Sequence, residues 1–275
     1  MNTADFDYLT EFLQRSSGLA LSAGKEYLLE ARLLPLAQQL GLNGFNELVS
    51  ELRRGRDPKI AVAVTEAMTT NETSFFRDKT PFEDLRKIVL PRLIAARSAQ
   101  RSLRIWCAAS SSGQEPYSLL MLIDDHFPEL RTWKISFVAT DISAGMLARS
   151  EAGIYSQFEV QRGLPVQQLM KHFEQCPTGW RVKEQLRQRV KFQKLNLLDQ
   201  FGHLGPCDLI LCRNVLIYFD TPAKAKIFER IRGIIRGDGY LMLGAAETVL
   251  GISQSFQRLK ECGSAVYVPT SPEQN

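Results

Sequence analysis

Leu103-Arg104-Ile105-Trp106-Cys107-Ala108-Ala109-Ser110-Ser111-Ser112-Gly113-Gln114-Glu115-Pro116 decides the fold. A short apolar run ends in small residues, and Pro116 to Phe127 then carries Leu119, Leu120 and Ile123 at helical spacing. This is a strand, a tight loop and a helix. The alternation continues downstream. Ile135 to Thr140 reads as a second strand ending at Asp141, Val190 to Leu195 as a third and Asp208 to Cys212 as a fourth. A helix over Pro222 to Ile235 leads through a Gly237-Asp238-Gly239 turn into a fifth strand, Tyr240 to Leu243. Phe256 to Leu259 and Ala265 to Val268 read as a closing hairpin. Strands and helices in turn predict an α/β class with a parallel-type sheet wrapped by helices.

Upstream the period is helical throughout. Phe6, Leu9 and Leu13 with Phe12 form one face, stopped by Gly18, and Tyr27 to Leu40 gives a second, closed by Gly41. Phe45, Leu48, Val49 and Leu52 give a third, and Asp57-Pro58 reads as an N-cap and first helical position for a fourth, ending at Met68. Residues 1–70 are therefore expected to form an all-helical N-terminal domain. Residues 71–90 would be a linker and 91–275 an α/β domain. Phe158 to Lys194 breaks the alternation: it is polar and punctuated by Gly163, Pro165, Pro177 and Gly179, which predicts an insertion off the sheet edge.

Composition excludes several classes. The chain has 275 residues, 44% hydrophobic and 23% charged, which suits a folded globular protein. No apolar run is long enough to cross a bilayer, and Met1-Asn2-Thr3-Ala4-Asp5 lacks the layout of a signal peptide, so no membrane insertion and a cytoplasmic location are expected. The five cysteines form no C-x-x-C pair and the three histidines, His126, His172 and His203, are dispersed. Buried free thiols and no metal are expected. A net charge of +4 is too weak to argue for nucleic acid, and none is expected as a partner. Between Arg86 and Arg104 six basic residues occur without an acid, either a solvated helix face or a docking surface for an acidic partner.

Ligands of a wound sheet bind beyond the carboxyl ends of its strands. Four segments fall there. Ala108 to Glu115 offers small side chains and close backbone approach, but lacks G-x-G-x-x-G, which disfavours a dinucleotide and suits a nucleoside without phosphates such as S-adenosylmethionine. Asp141 either grips a ribose diol or caps the helix from Ser143. Asn196 either reads an adenine edge with Leu197 on the ring or forms a turn. Arg213 and Asn214 follow a buried strand, and Tyr218 is either a phenol near the reaction or a core aromatic. Ahead of the sheet, Asn71-Glu72-Thr73-Ser74-Phe75-Phe76-Arg77 is a polar run closed by two aromatics and an arginine.

Asn71–Arg77, Ala108–Ser118 and Cys212–Phe219 together resemble, in order and spacing, the motifs of the chemotaxis receptor methyltransferases, the CheR family. The resemblance spans nearly the whole chain. It implies a class I S-adenosylmethionine-dependent methyltransferase (Rossmann-like) sheet of seven strands, behind the helical domain, with a small antiparallel β-subdomain at about 157–193. It also implies methyl transfer from S-adenosylmethionine to glutamates of the cytoplasmic helical region of chemoreceptors, leaving S-adenosylhomocysteine. Asn71, Thr73, Arg77, Glu115, Asp141, Asn196, Leu197, Arg213 and Asn214 would surround the cofactor, and Arg77 and Tyr218 would flank the transferring methyl.

Two departures qualify the resemblance. The loop Cys176-Pro177-Thr178-Gly179-Trp180 is shorter than the family's glycine-rich loop, which argues against dependence on a C-terminal receptor tether. Gly244-Ala245-Ala246-Glu247 has alanines where the family has histidine or serine, so it receives no catalytic role. The competing functions are a methyltransferase acting on RNA or a small molecule, and a cofactor-sensing adaptor without turnover.

Overall fold

The computed structural model describes residues 3–22 and 24–270; the leader reading at Met1-Asn2 lies outside them. The chain divides into two compact units, Met1–Thr70 with Tyr218–Ala223, and Asn71–Ile217 with Lys224–Asn275.

The first unit holds α1 (Thr3–Ser17), α2 (Glu26–Gln39), α3 (Phe45–Arg54) and α4 (Pro58–Met68), the four helices that the apolar spacing predicts. Leu9, Leu13, Leu29, Leu33, Leu48 and Val64 fill their common core. Asp57 caps α4 by accepting from the Lys59 N–H at 2.8 Å. Arg32 closes its other end, donating to the Met68 and Thr69 carbonyls at 2.7 and 3.0 Å. Gly18 is left-handed, and a Cβ there would strike the Phe219 ring at 2.2 Å. Residues 218–223 are held in this unit partly by the Ala20 N–H, which donates to the Tyr218 carbonyl at 2.9 Å.

The second unit opens with residues 71–79, without regular structure, and a helical stretch: α5 (Thr80–Asp84), a π turn over Leu85–Val89 and α6 (Leu90–Ala96). Then come β1 (Ser102–Ala108), α7 (Gln114–His126), β2 (Lys134–Asp141) and α8 (Ala144–Ala152). A smaller region holds β3 (Ile154–Tyr155), α9 (Gln157–Gln161), α10 (Val166–His172), β4 (Phe173–Cys176), β5 (Gly179–Val182) and α11 (Glu184–Arg187). The chain ends with β6 (Val190–Lys194), β7 (Cys207–Cys212), α12 (Thr221–Ile234), β8 (Ile235–Leu243), β9 (Phe256–Arg258) and β10 (Val266–Pro269).

Seven strands form one sheet in the order β6-β2-β1-β7-β8-β10-β9. β6, β2, β1, β7 and β8 are parallel, and β10 is antiparallel to both β8 and β9. β1 and β7 are buried along nearly all their length, as central parallel strands must be. The order reverses between β1 and β7, which makes that junction the switch point. A three-stranded antiparallel sheet, β3-β5-β4, forms the small subdomain that the resemblance implies. β4 and β5 are joined by the two residues Pro177-Thr178.

One expectation is corrected. Gly237-Asp238-Gly239 is not a turn ahead of a strand. It lies within β8 as a bulge, where Cys207 faces Ile235 but Leu209 already faces Tyr240. Of the two readings of the basic run from Arg86 to Arg104, the solvated face fits Arg86, Lys87, Arg92 and Arg101, which are exposed, while Arg97 turns inward. Arg97 donates to Asp208 at 2.7 Å and to Asp238 at 2.5 Å, and Arg92 pairs with Glu261 at 3.3 Å. Lys87 pairs with Glu83, Arg101 donates to Thr132 Oγ1, and Arg104 donates to the Leu204 carbonyl.

Candidate active site

Two hydrogen-bonded clusters meet at the carboxyl edge of the sheet. The first joins the ends of β1 and β2. Asp141 is buried, and its Oδ2 accepts from the Ser111 N–H at 2.8 Å while its Oδ1 accepts from the Ser143 N–H at 2.9 Å. The Ser111 hydroxyl donates to the Asn71 carbonyl at 2.8 Å. The Leu195 N–H, just past β6, donates to the Asp141 carbonyl at 3.0 Å. Asn71, Ser111, Asp141 and the start of the β6 loop are thus one connected group. Capping of α8 falls to Ser143, whose hydroxyl accepts from the Met146 N–H.

The second cluster spans the switch point. The Arg213 side chain is 1% exposed and donates to Glu115 Oε2 at 2.5 Å, to Asp78 Oδ2 at 2.8 Å and to the Arg77 carbonyl at 3.1 Å. A guanidinium so buried requires such partners. Glu115 also accepts from the Cys107 thiol at 3.0 Å. Burial, and then the Glu115 charge, push that thiol well above its ordinary pKa, so it stays a donor. Burial does the same to Cys212, with Glu247 and Glu115 adding to it. Neither thiol is poised as a thiolate nucleophile.

The segment from Asn71 to Asp78 is therefore fastened to both clusters. A further bond runs from the Phe76 N–H to the Ser118 hydroxyl at 2.9 Å. Phe75 is fully buried, its ring 5.0 Å from Tyr155 and 5.5 Å from Phe173. Gly163 lies so close that a Cβ would meet the Phe75 carbonyl oxygen at 2.1 Å. The Arg77 side chain, half-buried, donates to the Glu72 carbonyl at 3.0 Å.

Backbone strain concentrates at the same edge. Phe76, Asp78, Lys79, Ala109, Ser111 and Asn214 all have positive φ, between 47° and 70°. Each costs about 1–3 kcal/mol, and such outliers persist where the surroundings over-determine them.

The remaining predicted residues divide. Asn196 Oδ1 accepts from the Leu198 N–H at 3.0 Å, so the turn that the sequence also allows is formed. Leu197 is buried beside it, and Arg230 donates to its carbonyl. Thr73 is half-buried between Asn71 and Phe75. Asn214 follows β7, and its N–H donates to Glu247 Oε2 at 2.8 Å. Tyr218 is half-buried in a 3₁₀ turn, Leu216–Tyr218, and falls in the helical unit.

Glu247 is the residue that sequence reasoning passed over. Its buried carboxylate accepts from the backbone N–H groups of Asn214, Val215, Leu216, Ile217 and Gly244. One side chain thus fixes the whole turn after β7. Its place four residues beyond a strand carried no motif. The only signal was an acid closing a run of small residues after a buried strand.

Two family models match the chain. A family model described as "CheR methyltransferase, SAM binding domain" matches residues 71–263, and one described as "CheR methyltransferase, all-alpha domain" matches residues 4–69. The chain belongs to the CheR methyltransferase family. "Chemotaxis protein methyltransferase 1" of Pseudomonas aeruginosa is 42% identical over 269 residues, covering 96% of this chain and 97% of that one. "Chemotaxis protein methyltransferase Cher2" of Pseudomonas putida is 39% identical over 268 residues, again covering 96% and 97%. "Chemotaxis protein methyltransferase 1" of Vibrio cholerae is 39% identical over 253 residues, 90% of each chain.

This CheR-family chain is thus a methyltransferase with S-adenosylmethionine as its cofactor. Its carboxyl edge suits that group chemically. Among the described residues the buried Ser110 hydroxyl has no hydrogen-bond partner, and it opens the small-residue loop after β1. A nucleoside with a zwitterionic arm needs hydroxyls, a carboxylate and close backbone approach, and this edge offers all three.

Proposed function

We propose that this chain methylates glutamate side chains in the cytoplasmic helical region of chemotaxis receptors, giving glutamate methyl esters, and that it works in the cytoplasm at receptor arrays. The observation that carries this is the bonding of the Asn71–Asp78 segment to the ends of β1 and β7 around the switch point. It sets three polar motifs at one edge.

Asn71, Thr73, Arg77, Glu115, Asp141, Asn196, Leu197, Arg213 and Asn214 hold the cofactor in this proposal. Asp141, aimed by two N–H donors, accepts from the ribose hydroxyls. Leu197 packs on the adenine, and Asn196 orients it through its turn. The Glu115–Arg213–Asp78 group acts as a rigid brace that fixes the Arg77 backbone. S-adenosylmethionine, when bound, supplies a methyl group on an electrophilic sulfonium.

The acceptor needs no general base. A glutamate carboxyl with a pKa of about 4.3 is already anionic at neutral pH. With the cofactor bound, the carboxylate oxygen would accept the methyl group, and the electron pair of the broken C–S bond would stay on sulfur. No proton moves, and two opposite charges disappear. The chain's task is alignment and exclusion of water, which favour a step that loses charge. Arg77 and Tyr218 orient the carboxylate, and no covalent enzyme intermediate forms. The raised thiol pKa values of Cys107 and Cys212 support this.

The two-residue Pro177-Thr178 connection leaves little loop to grip a tethering peptide, so transfer should not depend on the receptor's C-terminal tail. The test is incubation with methyl-labelled S-adenosylmethionine and receptor fragments with or without tails. Base-labile label on glutamate, equal for both fragments, is expected. Base-stable label, or none, contradicts the proposal; label only with the tail contradicts the tether clause.

A further inference from the structure

The proposed cofactor residues occupy the Asn71–Arg77 segment, the first turn of α7 and the ends of β6, β2 and β7. The other half of the same edge holds a cavity of about 450 Å³, which none of them explains. It is lined by the start of α5, the end of β8 and the loop after it, the end of β9, and β10 with the loop before it, with Asp78, Glu247 and Arg258 as its charged residues. β9 runs antiparallel to β10 and hence in the direction of β8, so Arg258, its last residue, stands at the carboxyl edge.

Two of the three charges are already committed. Asp78 is paired with Arg213. Glu247 is met by five backbone N–H dipoles. The Arg258 side chain is exposed and forms no hydrogen bond or ion pair with any described residue. It stands directly across the ladder from Tyr267, so the two side chains share a sheet face. The Tyr267 hydroxyl reaches Thr248 Oγ1 at 3.4 Å, which completes a wall of one uncommitted cation and hydroxyls.

We propose that this cavity binds a second carboxylate of the acceptor polypeptide, distinct from the one that is methylated, with Arg258 as its counter-ion. This rests on the protein-carboxylate reading of the site. A cation held tightly on the reacting carboxylate would blunt it as a nucleophile. A carboxylate that keeps its charge throughout contributes the same binding before and during transfer. A guanidinium offers several donors for such a group, and the neighbouring hydroxyls add orientation.

The test uses the full chain and a dye-labelled helical peptide from a chemoreceptor methylation region, in two forms. One is native; in the other the carboxylates flanking the methylated glutamate are replaced by glutamine. Fluorescence anisotropy gives Kd with wild type, R258A and R258E. R258E should weaken the native peptide by about tenfold, R258A by less. Both variants should bind the glutamine peptide as wild type does, and S-adenosylhomocysteine affinity should not change. Equal affinity of wild type and R258E for the native peptide overturns the proposal. So does an equal loss on both peptides, which would mean a general defect. A separate transfer assay on the native peptide keeps the two ideas apart. Charge-dependent binding without glutamate label would sink the proposed reaction and leave the cavity's role standing.

Discussion

Single residues differ sharply in what their loss should do. Arg77 and Tyr218 are assigned to orientation, so Arg77→Ala and Tyr218→Phe should lower kcat, Arg77→Ala by on the order of 100-fold, with a smaller effect on cofactor Kd. Steady-state kinetics beside a calorimetric titration checks the split, and an unchanged rate for Tyr218→Phe removes that residue from the mechanism. Arg213 is different, since it is a buried cation between two carboxylates. Arg213→Met strands Glu115 and should cost about 3–5 kcal/mol of stability by denaturant unfolding. Arg213 was legible as a polar residue at the end of a buried strand, and Glu115 through the family resemblance. Their mutual bond was not, because 98 residues separate them.

At the scale of elements, the turn after β7 depends on a carboxylate from beyond β8. Glu247→Gln keeps the shape but replaces an acceptor with a donor that faces N–H groups. It should therefore raise cofactor Kd and lower kcat together, on the order of tenfold each, while Glu247→Asp recovers less than half of the lost stability because it is one methylene short. Turnover and thermal unfolding measured on the same preparations check this. Helices α1–α4 and the parallel strands were legible because their apolar periods are 3.6 residues or continuous. The β8 bulge was not: Gly237-Asp238-Gly239 has turn chemistry, and long-range partners keep that stretch in the strand, among them Cys207 and Leu209 across the ladder and the ion pair of Asp238 with Arg97. The Glu247 contacts escaped for the same reason, since long-range backbone acceptors leave no local pattern.

Across the whole molecule, charge is less available than the sequence implies. Within the basic run Arg97 braces the sheet through Asp208 and Asp238 while its neighbours stay in solvent, and Asp238 is held below the usual carboxylate range by Arg97. pH acts through a buried histidine. Burial pushes the His172 imidazole below its ordinary pKa, against the opposing pull of Asp125, whose Oδ1 lies 3.4 Å away. Its folded pKa is lower than its unfolded one, so the unfolded chain takes the proton first as pH falls below about 6.5, and stability drops there. Melting temperature should therefore decline between pH 7.5 and 5.5, and His172→Gln should flatten that decline. An identical slope in both proteins would contradict this.

The central claim is that one carboxyl edge, built from β1, β2, β6, β7 and the Asn71–Asp78 segment, holds the cofactor. A crystal structure with S-adenosylhomocysteine tests it most directly. The account predicts both ribose hydroxyls on Asp141, the adenine against Leu197, and the amino-acid arm beside Glu115 and Arg213. A ligand bound away from Asp141 and Arg213 would contradict it.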